Sequence, residues 1–200
     1  SSGGFRQLGN ATKPVHVPDD MKGLKWRTTK SPVEFMLVKN WGATPTPYDW
    51  SQLYSGLQSG VVEGQYVASP WQHVAKLHEV AKYFTEIGGM WSGNILAMDA
   101  KQYNALSAQE KKWLHTAADA YGEKVNELDN AWIKNGEDAI KASAKEWYVP
   151  SEAEMSKWRA GAIGAWLDAK GTFEPAVAKR VLMEQGMDGF VAQLEAAGAL

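Results

Sequence analysis

An arginine and a tryptophan stand at two successive points where a predicted strand leads into a helix. Arg27 lies near the end of the strand KWRTT, and Trp50 ends the turn PTPYDW. Strand ends in an open α/β sheet form ligand crevices, and a guanidinium there can hold a carboxylate through two parallel hydrogen bonds. In the alternative interpretation, Arg27 is a surface residue paired with a neighbouring acid and Trp50 packs in the core.

Residues with catalytic potential show no spacing that predicts an active site. No zinc-binding motif contains any of the four histidines, His16, His73, His78 and His115. His73 and His78 are five residues apart in a predicted helix, which places them on different sides of it. Cysteine is absent, and neither G-x-S-x-G nor a P-loop occurs. We therefore predict that the chain is not an enzyme and needs no metal and no cofactor.

Composition indicates an ordinary globular chain. Hydrophobic residues make up 44% and charged residues 22% of the 200 residues, with a net charge of -2. Nucleic-acid-binding proteins usually carry a basic excess, so a nucleic-acid partner is not expected. No run approaches the roughly 18 apolar residues that a membrane span requires, so direct membrane insertion is not expected either.

Residues 19–67 predict alternating strands and helices. After KWRTT, SPVE at residues 31–34 forms a capping box with proline in the first helical position, and Gly42 is placed to end that helix. A short strand, a helix over SQLYSGLQ and a glycine-bounded strand at residues 61–67 follow. The last strand suits a buried position in a mixed or parallel sheet. The pattern predicts an α/β fold.

The other predicted elements are mainly helical. GFRQL is a strand, a helix starts at Ser69 and runs through residue 84, and residues 92–99 form a strand. Capping boxes begin a long helix at Ser107, which runs to about Trp147, and another helix at Ser151. Residues 174–200 predict two short helices separated near Gly186. A helix as long as the one from Ser107 is expected to brace two lobes.

These segments resemble the solute-binding proteins of TRAP transporters, the DctP family. The family's D-x-K-G-x-K-x-R strand, G-A-x-P-T-P turn, following helix and G-x-V-[DE]-G-Q strand appear here as DMKGLKWR, GATPTPYDW, SQLYSGLQ and GVVEGQ, in that order. KLHEVAKYF resembles a further family block. The resemblance implies a two-lobed, type II-like periplasmic binding protein fold, with a mixed sheet flanked by helices and a long lobe-bracing helix.

The resemblance also implies a division of the chain. It looks like the later portion of such a protein, lacking the N-terminal lobe segment. Residues 1–90 are expected to form the ligand-binding lobe, which is the family's second lobe. Residues 91–130 should contribute a strand and the start of the long helix to the other lobe. Residues 131–200 should supply the rest of that helix and the C-terminal helices, packed across the lobes, which are expected to close around a ligand.

The ligand contacts implied by the resemblance involve four residues. Arg27 matches the family's carboxylate clamp, and Arg6 matches a second arginine near the ligand carboxylate. Trp50 matches an aromatic residue that packs against the ligand body. Lys30 stands where relatives often have a polar ligand contact, and a solvent-exposed lysine at a helix start is the alternative.

One segment departs from the family pattern. Where relatives read G-Q-E-N-P, the chain reads GQYVAS, so Val67 replaces an asparagine that helps hold the acid group and Tyr66 replaces the acidic neighbour. The change argues against small, highly polar dicarboxylates and sialic acid. It favours a monocarboxylate with an apolar or aromatic body, surrounded by Trp50, Tyr66 and either Trp71 or Trp91.

The function implied by the resemblance is capture of an organic acid in the periplasm and its delivery to a TRAP-type secondary transporter. The expected partners are a small-molecule carboxylate and the membrane permease subunits. A ligand-binding sensor module with the same fold, signalling to a membrane receptor, is the alternative that the residues leave open.

Overall fold

Residues 2–200, which the computed structural model describes, form a mixed β-sheet with helices packed on both faces. The strands are β1 (Ser2–Asn10), β2 (Lys25–Thr28), β3 (Thr44–Pro47), β4 (Gly64–Ala68), β5 (Tyr83–Thr85), β6 (Trp91–Gly93) and β7 (Glu146–Tyr148). The helices are α1 (Pro32–Asn40), α2 (Leu53–Ser59), α3 (Ser69–Val74), α4 (Ala100–Ala105), α5 (Ala108–Ser143), α6 (Glu152–Asp168), α7 (Pro175–Glu184) and α8 (Asp188–Ala196).

The sheet order is β3-β2-β4-β1-β5-β7, and β6 pairs with the amino-terminal half of β1. β2 is parallel to both β3 and β4, whereas β1 is antiparallel to β4 and β5. The carboxyl ends of β2, β3 and β4 therefore lie at the same edge as the beginning of β1. The predicted mixed sheet flanked by helices is confirmed.

The larger core lies between the sheet and the pair α1 and α6. Trp26 from β2 and Tyr66 from β4 are fully buried there, beside Trp41 and Trp158, whose rings meet edge to face at 5.1 Å. Gly64 is required by this packing, because a Cβ at that position would lie 2.3 Å from the Trp26 ring. The second glycine of the GVVEGQ segment thus lets β4 approach β2 closely.

α5 is 36 residues, or about 54 Å, long. The capping box predicted at its start is present: the Ser107 Oγ accepts from the Glu110 N–H, and Glu110 accepts from the Ser107 N–H. Its carboxyl-terminal half packs on α3, where Gly136 faces Pro70, while Trp113 in the amino-terminal half is exposed. Although α5 is long, no helix within residues 2–200 combines the length and apolar character needed to cross a membrane. Its lobe-bracing role stays a prediction.

The helix predicted from Ser69 through residue 84 is wrong in length. α3 ends at Val74, and Lys76 takes φ 56°, a left-handed conformation that an α-helix does not contain. Residues Tyr83–Thr85 instead form β5 between β1 and β7. An apolar run of this length cannot by its spacing alone distinguish a helix from a short buried strand.

Other element boundaries also differ from the prediction. α5 ends at Ser143 rather than near Trp147, because Glu146–Tyr148 pair with β5 as a parallel strand. The strand expected at residues 92–99 is confined to Trp91–Gly93. The two short C-terminal helices are confirmed, with Gly186 between them at φ 70°.

Glu154 completes a second predicted capping box and ties α6 to β7. Its carboxylate accepts hydrogen bonds from the Ser151 N–H and hydroxyl, each at 2.7 Å, and from the Tyr148 hydroxyl at 2.7 Å. These bonds lower the pKa of Glu154 from 4.5 to about 2, and the bond from the Ser151 side chain has the largest effect. Because the folded pKa is the lower one, the bonds stabilise the fold above about pH 4.5, and their contribution is lost as the pH falls towards about 2.

We therefore expect Glu154→Gln to make the stability of the fold depend less on pH in the acid range. Between about pH 4.5 and pH 2 the midpoint of thermal unfolding should fall less in the variant than in the parent chain. Circular dichroism melts across this range measure the effect. Glu127→Gln, an exposed residue paired with Lys124 on α5, is the control, and an equal effect in that variant would contradict the assignment.

Candidate ligand-binding site

A cleft of about 370 Å³ opens at the edge of the sheet where β2 and β4 end. Because β1 is antiparallel to these strands, its beginning reaches the same edge, so the topology brings together residues from six parts of the chain. The lining residues are Arg6, Arg27, Thr29, Trp50, Val67, Ala68, Trp71, Trp91, Ser92, Gly93 and Asn94. This is the edge at which open α/β sheets bind ligands.

Arg27 lines the cleft, and only one of its guanidinium nitrogens, the Nε, forms a hydrogen bond within residues 2–200. The residue is 5% exposed, its Nε donates to the Tyr48 carbonyl at 3.0 Å, and its Cζ lies 5.8 Å from the Trp50 ring centroid. Within residues 2–200, no hydrogen bond or ion pair occupies its two Nη groups. Burial lowers the pKa of Arg27, against the opposing charge of Glu34, but a guanidinium stays cationic. An anion with two oxygens would complete its hydrogen bonding.

Arg6 reaches the cleft from β1 but is already paired. Its Nη1 donates to Glu34 Oε1 at 3.2 Å and to the Tyr66 carbonyl at 3.4 Å, and its Nε donates to Ser92 Oγ at 3.3 Å. The side chain is 25% exposed. Arg6 is therefore held by both neighbouring strands, β4 and β6, and by α1.

Glu34 is the residue of the site that sequence reasoning missed. It is 2% exposed, and its Oε2 accepts from the Thr29 N–H at 3.0 Å and from the Thr29 hydroxyl. Ser31 is the N-cap of α1, as predicted, but Glu34 does not complete a capping box with it. The S-P-x-E pattern fits a capping box. No signal in the sequence therefore distinguished a Glu34 that caps α1 from a Glu34 that pairs with Arg6.

Three tryptophans form aromatic walls around the arginines. Trp50, Trp71 and Trp91 are 42%, 38% and 54% exposed, which is unusual for so large an apolar ring. Trp71 is held edge to face by Trp132 of α5, and Trp91 by Phe5 of β1, each pair at 4.9 Å between centroids. Firmly held, partly exposed indoles provide contact surface at a low entropic cost.

The structure brings four of the predicted site residues to this cleft: Arg27, Arg6, Trp50 and Val67. Lys30 lies beside an adjoining cavity of about 570 Å³, which shares Arg27, Thr29 and Trp50 with the cleft. Ligand contact by these residues stays a prediction.

Tyr66 is not brought to the cleft, and the expectation that it surrounds a ligand does not fit its position. Successive residues of a strand point to opposite faces, so Val67 lines the cleft while the Tyr66 ring lies in the core. The ring is fully buried and meets Trp41 edge to face at 5.5 Å. Burial there raises the pKa of the Tyr66 hydroxyl.

Among the residues that the structure describes, the lining of the cleft contains no histidine, cysteine or acidic side chain. Within residues 2–200, no group of three or more His, Cys, Asp or Glu side chains is placed to hold a metal ion. The prediction that His73 and His78 lie on different sides of one helix is wrong, because α3 ends between them, and their ring centroids are 5.1 Å apart. The arrangement of the cleft suits binding of an anion with an apolar body.

Comparison with known proteins identifies relatives of the chain. A family model described as bacterial extracellular solute-binding protein, family 7 (DctP), matches residues 1–170. The ectoine-binding periplasmic protein TeaA of Halomonas elongata is 30% identical over 136 residues, covering 68% of this chain and 40% of TeaA. The 2,3-diketo-L-gulonate-binding periplasmic protein YiaO of Escherichia coli is 29% identical over 125 residues, covering 62% of this chain and 38% of YiaO.

Solved structures show the same fold. A high-resolution structure of the ectoine-binding protein of the TeaABC TRAP transporter from Halomonas elongata superposes with a TM-score of 0.78 at 24% identity, covering 96% of this chain and 61% of that chain. A TRAP periplasmic solute-binding protein from Roseobacter denitrificans with bound L-galactonate gives a TM-score of 0.75 at 23% identity. The match covers 84% of this chain and 54% of that chain. The chain thus spans about two fifths of the length of TeaA and of YiaO. The resemblance found in the sequence is confirmed.

Proposed function

The chain belongs to the DctP family of bacterial extracellular solute-binding proteins, and from that premise we propose that it captures an organic acid in the periplasm and delivers it to the membrane subunits of a TRAP transporter. The ligand carboxylate binds Arg27, and the tryptophan walls enclose the rest of the molecule. The permease is the partner that receives it.

The observation that carries this proposal is the state of Arg27. A buried guanidinium normally has its donors occupied, because an unpaired buried charge is costly. Arg27 is 5% exposed and has only its Nε bonded within residues 2–200. A carboxylate matches the planar fork formed by its Nη groups. A largely buried guanidinium whose Nη groups are open to the cleft supports the binding of an anion there.

The ligand class that we favour is a monocarboxylate with an apolar or aromatic body. Val67 places an apolar side chain in the cleft, and the exposed faces of Trp50, Trp71 and Trp91 add apolar surface around Arg27. Two of the relatives named above bind 2,3-diketo-L-gulonate and L-galactonate, so sugar acids are the competing class. The apolar side chains within this otherwise polar lining, Val67 and the three tryptophans, are what favour a less polar ligand.

A thermal-shift screen against aliphatic, aromatic, keto and sugar acids tests the proposal. A ligand at about a hundred times its dissociation constant stabilises the folded chain by roughly 2.7 kcal/mol. For a chain of this size, that corresponds to a rise of roughly 5–11 °C in the unfolding midpoint. We expect the largest rise with an aromatic or aliphatic monocarboxylate.

The methyl ester of each acid that binds is the matched control, since it keeps the body and removes the charge. The ester should give no shift. Tighter binding of a sugar acid than of every aromatic and aliphatic acid would overturn the ligand class. An equal response to acid and ester would overturn carboxylate capture itself.

A further inference from the structure

The cleft contains two guanidinium groups, but their charges are not equally compensated. Within the described chain, Arg6 and Arg27 are the charged side chains that line the cleft. Arg6 forms an ion pair with Glu34 at 3.2 Å, whereas Arg27 has no ion pair among residues 2–200. Lys30 and Asp49, of opposite charge, both line the adjoining cavity instead.

The carboxylate of Glu34 is positioned so that it cannot leave this pair easily. Both of its oxygens are used, Oε1 by Arg6 and Oε2 by the N–H and hydroxyl of Thr29. At 2% exposure, water does not compete for it. Charges in such a poorly solvated environment act on their neighbours more strongly than they would in water.

We propose that Glu34 determines the ligand charge that the cleft accepts. By forming an ion pair with Arg6, it leaves Arg27 as the cation of the cleft without an ion pair among residues 2–200, so the site matches one carboxylate. A second carboxylate beside Arg6 would lose its hydration and meet the negative charge of Glu34 as well. Glu34 thus acts as an element that disfavours dianions. The inference rests on the proposed carboxylate-binding function and names the residue that limits the ligand to one negative charge.

The test compares acids that share a body and differ by one carboxylate. Hexanoate with adipate and benzoate with terephthalate are suitable pairs at about pH 8, where all are fully ionised. Isothermal titration calorimetry on the parent chain should show tighter binding of the monoanion in each pair. Tighter binding of both dianions by the parent chain would overturn the inference without any variant.

Glu34→Gln removes the charge and keeps one acceptor oxygen. We expect the ratio of dianion to monoanion affinity to rise by about tenfold. Glu184→Gln on α7, which makes the same change in net charge at an exposed ion pair with Arg180, should leave the ratio unchanged. Circular dichroism establishes that each variant is folded.

A double variant separates the charge of Glu34 from its shape. Arg6→Met with Glu34→Met removes the pair without changing the net charge, and such replacements of buried ion pairs are often tolerated. The ratio should stay at the parent value, even if Glu34→Gln alone fails to fold. A rise in the double variant, or no rise in folded Glu34→Gln, overturns the inference while monoanion binding still supports the proposed function. Absence of binding by any acid to the parent chain overturns both.

Discussion

Arg27→Ala will weaken binding of the ligand acid by at least about 30-fold. Removal of one partner of a buried, hydrogen-bonded charge pair costs about 2–5 kcal/mol, and Arg27 is the buried cation whose Nη groups are unused within residues 2–200. Isothermal titration calorimetry with the acid identified by thermal shift measures the loss. Arg27→Lys should also bind weakly, because an ammonium keeps the charge but not the planar fork or the bond to Tyr48.

The same substitution should have a different effect on the ligand-free chain. Because it removes a buried charge without an ion-pair partner, Arg27→Ala should leave the unfolding midpoint unchanged or raise it. Arg180→Ala, at an exposed ion pair on α7, is the control and should not affect affinity. Parent-like affinity in Arg27→Ala, or a loss of affinity explained by unfolding, would contradict the role of Arg27 as carboxylate clamp.

Gly136→Ala will destabilise the fold, although alanine is the better helix former. A Cβ at position 136 would lie 2.7 Å from the backbone of Pro70, well inside the roughly 3.5–4.0 Å of carbon contacts. Overpacking of this kind costs about 1–3 kcal/mol, and backbone cannot yield as a flexible side chain would. After the gain of about 1 kcal/mol in helix propensity, we expect a net loss of about 1 kcal/mol, or a fall of roughly 2–4 °C in the unfolding midpoint.

Gly122→Ala on the same helix is the matched control. No atom lies within 4 Å of a Cβ placed there, so this variant should gain the helix propensity of alanine, about 1 kcal/mol, and melt roughly 2–4 °C higher. Gly136→Ala should also weaken ligand binding, because α3 carries Trp71 next to Pro70. Equal stabilisation by the two substitutions would show that α3 and α5 are not in tight contact.

The elements that form the cleft were predictable from the sequence because their signals are local. KWRTT, PTP and GVVEGQ are bounded by turn residues. The location of Arg27 and Trp50 at the cleft could be predicted because both residues stand at strand ends. The boundary between α3 and β5 was not predictable, since the run from Trp71 to Phe84 has apolar residues at a spacing that suits either structure. The end of this run forms a strand because it pairs with β1 and β7.

The composition of the site was less predictable than its location. Tyr66 and Val67 were both expected at the ligand, but side chains alternate along β4, so only one of them can face the cleft. The pairing of Glu34 with Arg6 joins two residues that are 28 positions apart in the chain and depends on how α1 packs on the sheet. Contacts of that kind follow from tertiary packing and leave no mark in the local sequence.

The contact between Gly136 and Pro70 has a mechanical consequence. From that contact, α5 extends about 42 Å to its first residue, and Trp132, one turn along this longer arm, touches Trp71 of the cleft wall. A tilt of about one degree at the contact displaces the far end by roughly 0.7 Å. An adjustment of the tryptophan wall that tilted α5 would therefore be amplified at the first residue of the helix.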